Sequence, residues 1–193
     1  MNKWKDEFAT ERDCRILKEA LVGADVFIGV SSKNLLNAED VSKMAARPII
    51  FAMANPVPEI YPDEARKGHP DAIIATGRSD FPNQINNVMC FPFLFRGTLD
   101  SGSRIINAEM KMAVANALAQ IAREPVPKEV ENAYNGRKFE FGIDYIIPTP
   151  FDPRLLYRLP RAVIEAAMAT GVATRTITDW KEYDQTLAGR VKL

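Results

Sequence analysis

Three short runs of apolar residues recur at near-equal spacing along the first part of the chain. They cover residues 25–30, 48–54 and 72–76, and more polar segments separate them. Short apolar runs that alternate with helical segments are typical of parallel strands, because crossover helices cover both faces of such a sheet. The pattern therefore predicts an α/β fold, the second half of a doubly wound, mostly parallel sheet with flanking helices.

Helical periodicity and capping residues predict the remaining elements. Asn37 and Asn107 each precede a helical segment, where an Asn side chain caps the first turn. The predicted helices are residues 12–22, 38–46, 62–67, 108–123, the first part of 128–138, 152–171 and 179–191. Residues 144–147 are predicted to form a last short strand. Residues 88–99 are apolar enough to be buried all round, so periodicity does not decide between helix and strand there.

A polar loop, residues 77–87, follows the third predicted strand and carries four carboxamides: Asn83, Gln84, Asn86 and Asn87. A carboxamide offers donors and an acceptor without a charge, which suits a site that holds a carboxylate or another amide. Open α/β sheets also bind their ligands beyond the carboxyl ends of their strands. The alternative is an Asn-rich turn that caps the next element, and spacing alone favours neither interpretation.

Polar residues also follow the first two predicted strands. Asn55 ends the second strand, and Pro56 restricts it to an extended conformation. Gly29 and Ser31 end the first strand, where a glycine lets a ligand approach the backbone and a hydroxyl can bind ribose or phosphate. A plain strand-to-helix turn explains Gly29 and Ser31 equally well.

The charged residues around the amide loop are expected to pair with one another rather than to serve a site. Arg78 and Asp80 are two residues apart in that loop. Arg96 and Asp100 are four residues apart, and such a pair meets on one face if the segment is helical.

Composition excludes several classes of partner. The 193 residues include 25 basic and 25 acidic ones, so the net charge gives no support to a nucleic-acid or membrane partner. No apolar run approaches the roughly 20 residues of a membrane span, and the charged N-terminal segment is not typical of a signal peptide. Cys14 and Cys90 lie far apart, which predicts reduced thiols in a cytoplasmic, one-domain protein. The single histidine, His69, lies in a predicted surface turn.

Six stretches resemble the NAD(P)-binding domain of malic enzymes of the bacterial and archaeal type, including the malic enzyme part of hybrid malic enzyme–phosphotransacetylase proteins. They are residues 24–32 (ADVFIGVSS), 51–60 (FAMANPVPEI), 75–97 (ATGRSDFPNQINNVMCFPFLFRG), 106–113 (INAEMKMA), 144–156 (DYIIPTPFDPRLL) and 171–175 (GVATR). The resemblance implies a Rossmann-like fold. It also implies a metal-dependent oxidative decarboxylation of malate to pyruvate, with reduction of NAD or NADP.

The resemblance also implies roles for particular residues. Asn55 is expected to contact the nicotinamide end of the cofactor and the substrate. Asn86 and Asn87 are expected to hold the substrate carboxylate, and Asn86 the nicotinamide as well. The cofactor's ribose and phosphate region is expected to lie beside Gly29, Val30 and Ser31.

Several parts of a malic enzyme are not among these 193 residues. There is no GxGxxG-type turn after a strand, and nothing resembles the preceding malic domain, which supplies a tyrosine acid, a lysine base and acidic metal ligands. Residues 1–193 are therefore expected to be a partial NAD(P)-binding domain without catalytic residues or metal ligands, inactive alone. The rest of the enzyme would bind Mg²⁺ or Mn²⁺, and a homo-oligomer is expected.

Two alternatives to this expectation remain. In the first, the chain is a non-catalytic half-domain that acts as an assembly module through an exposed sheet edge. In the second, it is an independent nucleotide-binding regulator. The regulator is less favoured, because a glycine loop that would hold phosphate is absent.

Overall fold

The structure is a computed structural model that describes residues 3–190, except for the side chain of Trp4. Val191, the last residue of the predicted C-terminal helix, lies outside the described residues. The chain divides into two compact units, Met1–Ile73 and Ile74–Leu193. None of the helices in residues 3–190 combines the length and the apolar character that a membrane span requires.

Three strands form one sheet in the order β1-β2-β3: β1 (Val26–Gly29), β2 (Ile49–Ala52) and β3 (Ile73–Thr76). β1 and β2 are parallel, with Gly29 opposite Ala52 at their carboxyl ends. The N–H of Ile73 donates to the carbonyl oxygen of Pro48 at 3.0 Å, which aligns the start of β3 with the start of β2. The predicted strands and the α/β class with a parallel sheet are therefore confirmed.

The expectation that both faces of each strand are covered is wrong for β1. Phe27 is buried, but Val26 is 47% exposed and Ile28 is 62% exposed. Successive side chains of a strand point to opposite faces of the sheet. The described part of the first unit therefore covers only the face of β1 that carries Phe27.

The described part of the first unit contains four short helices: α1 (Lys3–Asp6), α2 (Leu17–Ala20), α3 (Ala38–Ser42) and α4 (Pro62–Gly68). The predicted cap of α3 is confirmed, since the side chain of Asn37 accepts a hydrogen bond from the N–H of Asp40 at 3.0 Å. The predicted helix over residues 12–22 is wrong in length. Ile16 is 56% exposed, Leu17 is 39% exposed and Leu21 is buried, so little packing stabilises a longer helix.

The second unit contains five helices in its described part: α5 (Phe91–Asp100), α6 (Ala108–Arg123), α7 (Lys128–Ala133), α8 (Arg154–Ala169) and α9 (Trp180–Arg190). The predicted cap of α6 is confirmed, because the side chain of Asn107 accepts from the N–H of Met110 at 2.9 Å. The main core forms where α6 and α8 pack together and includes Met110, Val114, Ile121, Leu155, Leu159 and Val163.

Residues 88–99 form a helix over most of their length, after a 3-10 turn at Asn87–Met89. The sequence had predicted that this segment is buried all round, and that prediction is wrong. Phe91, Phe95 and Leu99 are 60%, 45% and 61% exposed. These residues are four positions apart, so they share one face of α5. We call this face the apolar stripe of α5, and no described residue of the second unit covers it.

The predicted strand at residues 144–147 is also wrong, and this segment contains only an isolated bridge between Gly142 and Tyr145. The main-chain groups here bond to a side chain instead of a neighbouring strand. The side chain of Asn83 donates to the carbonyl of Ile143 at 2.7 Å and accepts from the N–H of Ile146 at 2.8 Å.

The C-terminal helix α9 packs through one apolar face. Tyr183 and Leu187 are buried and pack against Ile164 of α8, and the partly buried Trp180 packs against the same cluster. The hydroxyl of Tyr183 donates to the carboxylate of Asp100 at 2.8 Å. Burial, and then this hydrogen bond, raise the pKa of Tyr183 above its usual value, so the phenol remains a donor at neutral pH.

Replacement of Gly97 by alanine is expected to destabilise the protein by about 1–3 kcal/mol. A Cβ atom at this position of α5 would lie 2.6 Å from both the carbonyl oxygen of Pro160 and the Cβ of Val163 in α8. Gly189→Ala is the matched control, because nothing lies within 4 Å of its Cβ position in α9. Alanine there should raise the free energy of unfolding by up to about 1 kcal/mol. Urea unfolding measures both, and equal effects would contradict the close helix contact.

Candidate functional site

Glu59 organises the carboxyl ends of β1 and β2, and sequence reasoning did not single it out. Its side chain is fully buried. One carboxylate oxygen accepts from the N–H of Ser31 at 3.0 Å, and the other accepts from the N–H of Ala54 at 3.0 Å. Ser31 follows β1 and Ala54 follows β2, so a single carboxylate joins the two segments that leave the sheet.

Gly29 has a packing reason that the sequence did not reveal. A Cβ atom built on Gly29 would lie 2.5 Å from the carboxyl carbon of Glu59. Any side chain at this position would displace that carboxylate. The space on the Cβ side of Gly29, at the end of β1, is therefore occupied by Glu59.

The other predicted cofactor-site residues of the first unit lie at its surface. Val30 is 76% exposed, and Ser31 is exposed with its N–H bonded to Glu59. Asn55 is exposed just beyond β2, and a cis peptide bond joins it to Pro56. The side-chain amide of Asn55 makes no hydrogen bond within residues 3–190. Its donor and acceptor groups are therefore available to a ligand.

Asn83, the first amide of the predicted cluster, has a structural role. It is buried and has a φ of 54°, a conformation that Asn tolerates better than most residues. Besides its bonds to Ile143 and Ile146, its side chain donates to the carbonyl of Ile74 in β3 at 2.9 Å. Both N–H donors of its amide and one of the two acceptor positions of its oxygen are thus used within the second unit.

Asn86 and Asn87 occupy different positions although they are neighbours. Asn86 caps the 3-10 turn, because its side chain accepts from the N–H of Val88 at 3.0 Å. Its amide nitrogen also lies 3.4 Å from the carbonyl oxygen of Gly77. Asn87 is exposed, and its side chain has no hydrogen-bond partner among the described residues. The amide of Asn87, at the end of this loop, therefore remains available for hydrogen bonds to a ligand.

Gln84 belongs to the backbone framework of the loop. It is half-buried and forms an isolated parallel bridge with Thr76 at the end of β3. The N–H of Ile85 donates to the carbonyl of Thr76 at 2.7 Å. The loop thus continues along the end of β3 before it reaches the exposed amide.

The charged residues near the loop pair internally, as expected. Two guanidinium nitrogens of Arg78 donate to Asp80 at 2.8 and 2.7 Å, and this bonding holds the pKa of Asp80 below its usual value. Arg96 donates to Asp100 one helical turn later in α5. These cations are therefore engaged with carboxylates of the chain.

A small cavity of about 60 Å³ lies within the second unit beside residues 79–84, 134–139 and 144–150. The hydroxyls of Tyr145 and Thr149 are buried there without a hydrogen-bond partner in the described chain. Burial raises the pKa of Tyr145 to about 12, so its phenol is protonated at neutral pH. The volume and the two hydroxyls suit ordered water, which needs about 10–15 Å³ and several polar partners for each molecule.

Within residues 3–190, no three or more His, Cys, Asp or Glu side chains converge in a way that could hold a metal ion. The buried carboxylates of the first unit illustrate this. Glu59 accepts from two main-chain N–H groups. Asp40 caps α3 and pairs with Lys18 at 3.1 Å.

Comparison with known proteins gives a consistent assignment. The family model for the malic enzyme NAD binding domain matches residues 2–132. The chain is 57% identical to the NADP-dependent malic enzyme of Rhizobium meliloti over 98% of its own length and 25% of that protein. It is 52% identical to the NAD-dependent malic enzyme of the same organism, over 95% of its length and 24% of that protein. The chain thus spans about a quarter of the length of these relatives.

Solved structures agree with this result. The malic enzyme of Pyrococcus horikoshii is 40% identical, with a TM-score of 0.71 over 89% of this chain and 36% of that one. The malic enzyme of Entamoeba histolytica is 35% identical, with a TM-score of 0.79 over 94% of this chain and 35% of that one. The Rossmann-like interpretation of the parallel sheet is confirmed by these neighbours.

Asn83→Asp is expected to lower the free energy of unfolding by about 2–4 kcal/mol. An ionised carboxylate cannot donate to the carbonyls of Ile74 and Ile143, so three buried acceptors would face one another. Asn135→Asp is the matched control, because Asn135 has a similar φ of 58° but is exposed. Its effect should stay within about 0.5 kcal/mol. Chemical unfolding of both variants checks this, and a tolerated Asn83→Asp would argue against the structural role.

Proposed function

Because the chain belongs to the malic enzyme family through its NAD-binding domain, we propose that it binds the dinucleotide in an enzyme that oxidises and decarboxylates malate to pyruvate. The curated relatives include both NADP-dependent and NAD-dependent malic enzymes. Either dinucleotide is accordingly a candidate. An enzyme of this class is an oxidoreductase, and the dinucleotide supplies the acceptor for the hydride.

The observation that best supports this proposal is the arrangement at the carboxyl ends of β1 and β2. Ser31 and Asn55 follow these adjacent parallel strands and are exposed there. Parallel α/β sheets bind nucleotides at this edge. The residues fit such a ligand, because the hydroxyl of Ser31 can bond to a ribose or phosphate oxygen. The amide of Asn55, which has both donors and an acceptor, can pair with the carboxamide of nicotinamide.

Gly29 and Val30 contribute to the same edge in different ways. Gly29 leaves room for Glu59, and Val30 offers an exposed apolar surface. We assign Val30 to packing against the cofactor and Gly29 to shaping the turn before Ser31. Binding and orientation of the dinucleotide are the contribution of these residues.

In the second unit, Asn87 is assigned to the substrate carboxylate and Asn86 to both capping and binding. A neutral amide donates to a carboxylate without the strong attraction of a cation, so it can orient the substrate and still release the product. The capping bond of Asn86 uses its oxygen. Its nitrogen makes one long contact with Gly77 and retains a donor for the nicotinamide or the substrate.

The described residues do not fit a divalent metal, since they contain no converging set of ligands. We assign Mg²⁺ or Mn²⁺, together with the acid and the base of the reaction, to the remainder of the enzyme. The 193-residue chain by itself is then expected to be inactive. Its partners would be that remainder, malate and pyruvate in a cytoplasmic homo-oligomer.

The alternative function, a non-catalytic assembly module, has one observation in its favour. The outer face of β1 and the apolar stripe of α5 each expose large apolar side chains. Exposed apolar patches are typical of surfaces that associate. This alternative predicts self-association without dehydrogenase activity.

Two measurements separate these functions. Mass spectrometry on an extract of the protein's own cells gives the native length of the chain, and a protein of that length is then assayed for dinucleotide reduction. The proposed enzyme should reduce NAD or NADP in a malate-dependent reaction, and chelation should stop it. The 193-residue chain alone should not turn over. A native-length protein that associates but never reduces either dinucleotide would support the assembly module instead.

Asn87→Ala in the native-length protein is expected to raise the KM for malate about tenfold or more. A hydrogen bond to a charged ligand contributes about 1.5–3 kcal/mol. Because the Asn87 side chain bonds to no described residue, thermal stability should change little. Asn116→Ala, on the exposed side of α6, is the control and should leave KM unaltered. Unchanged malate kinetics in Asn87→Ala would rule out this assignment.

A further inference from the structure

We propose that Glu59 is a positioning residue for the dinucleotide site, an inference that rests on the proposed function. Its carboxylate fixes the segments that follow β1 and β2, so that Ser31 and Asn55 present their side chains at a set separation. Glu59 itself touches neither cofactor nor substrate in this role. It acts through the main chain of the residues that do.

The bonding of Glu59 shows how the two segments are fixed. Burial of a carboxylate is costly unless hydrogen bonds compensate for the lost water. No Lys or Arg among the described residues pairs with Glu59, and its two oxygens accept from the N–H groups of Ser31 and Ala54. Movement of either segment would leave one buried oxygen of Glu59 without its donor.

The main chain around Glu59 extends this attachment. The N–H of Leu36 donates to the carbonyl of Glu59 at 3.1 Å, and the N–H of Asn34 donates to the carbonyl of Pro58 at 3.0 Å. Residues 31–36, which follow β1, are therefore held at both ends by the same short segment. Asn55 directly follows Ala54, whose N–H is bonded to Glu59. This bond therefore also fixes the main-chain position from which the Asn55 side chain extends.

Gly29 and Glu59 form a dependent pair. Alanine at position 29 would place its Cβ 2.5 Å from the Glu59 carboxyl carbon and 2.6 Å from one of its oxygens. The carboxylate would have to leave both of its donors. Gly29 is therefore required because Glu59 is present, and not because a ligand needs the space.

A double-mutant cycle tests this dependence. Gly29→Ala in the native-length protein should lower Tm by several degrees and weaken dinucleotide binding about tenfold. In a Glu59→Ala background the same Gly29→Ala change should add little, because the clash is gone and interacting residues are not additive. Equal further losses of dinucleotide affinity in both backgrounds would show that Gly29 serves the ligand directly, and would overturn the pairing.

Glu59→Gln tests the positioning role without a cavity. The amide keeps one acceptor and turns an NH₂ group towards the second main-chain N–H, so one strand end is released. NADH and NADPH fluorescence titrations should show about tenfold weaker binding. Asp40→Asn is the matched control, because Asp40 is a buried acid of the same unit that accepts from the N–H of Asn37 at the start of α3 and bonds to neither Ser31 nor Ala54. It should lower Tm by a similar amount and leave the dissociation constant unchanged.

The outcomes distinguish the inference from the function on which it rests. If Glu59→Gln binds the dinucleotide as tightly as the unsubstituted protein does, the positioning role is wrong and the proposed function stands. If both acid-to-amide variants weaken binding equally, Glu59 is merely a stabilising residue. If the unsubstituted native-length protein binds neither dinucleotide, both the proposed function and the positioning role fail.

Discussion

A buried carboxylate with two main-chain donors is the constraint on which the first unit depends. The carboxyl group of Glu59 is inaccessible to water, so its position must satisfy the N–H of Ser31 and the N–H of Ala54 simultaneously. This requirement sets the course of the chain after β1 and after β2. It also explains a glycine that a strand would otherwise disfavour, because Gly29 leaves space for that carboxylate.

The features that sequence alone revealed are the local ones. Asn37 and Asn107 cap helices through partners only three residues away, so the pattern is visible in a short window. The apolar runs that form β1, β2 and β3 are similarly self-contained. The sequence did not predict the role of Glu59, because its partner Ser31 is 28 residues away. A Glu that follows a proline in a loop is also usually expected to be exposed.

The amide cluster shows the same limit within one loop. Four carboxamides look equivalent in the sequence, but the structure separates Asn83 from Asn87. The partners of Asn83 include Ile143 and Ile146, which are 60 and 63 residues away. A local sequence pattern cannot predict contacts at that separation. The strand predicted at residues 144–147 failed for the same reason, since its main-chain groups were already committed to that side chain.

The apolar stripe of α5 has a consequence for the colloidal behaviour of the chain. With equal numbers of acidic and basic residues and an isoelectric point near 6.6, molecules of this chain have little mutual electrostatic repulsion around neutral pH. Short-range attraction between exposed Phe91, Phe95 and Leu99 side chains then meets little opposition. Solubility should therefore be lowest close to the isoelectric point and should improve as the solution moves away from it in either direction.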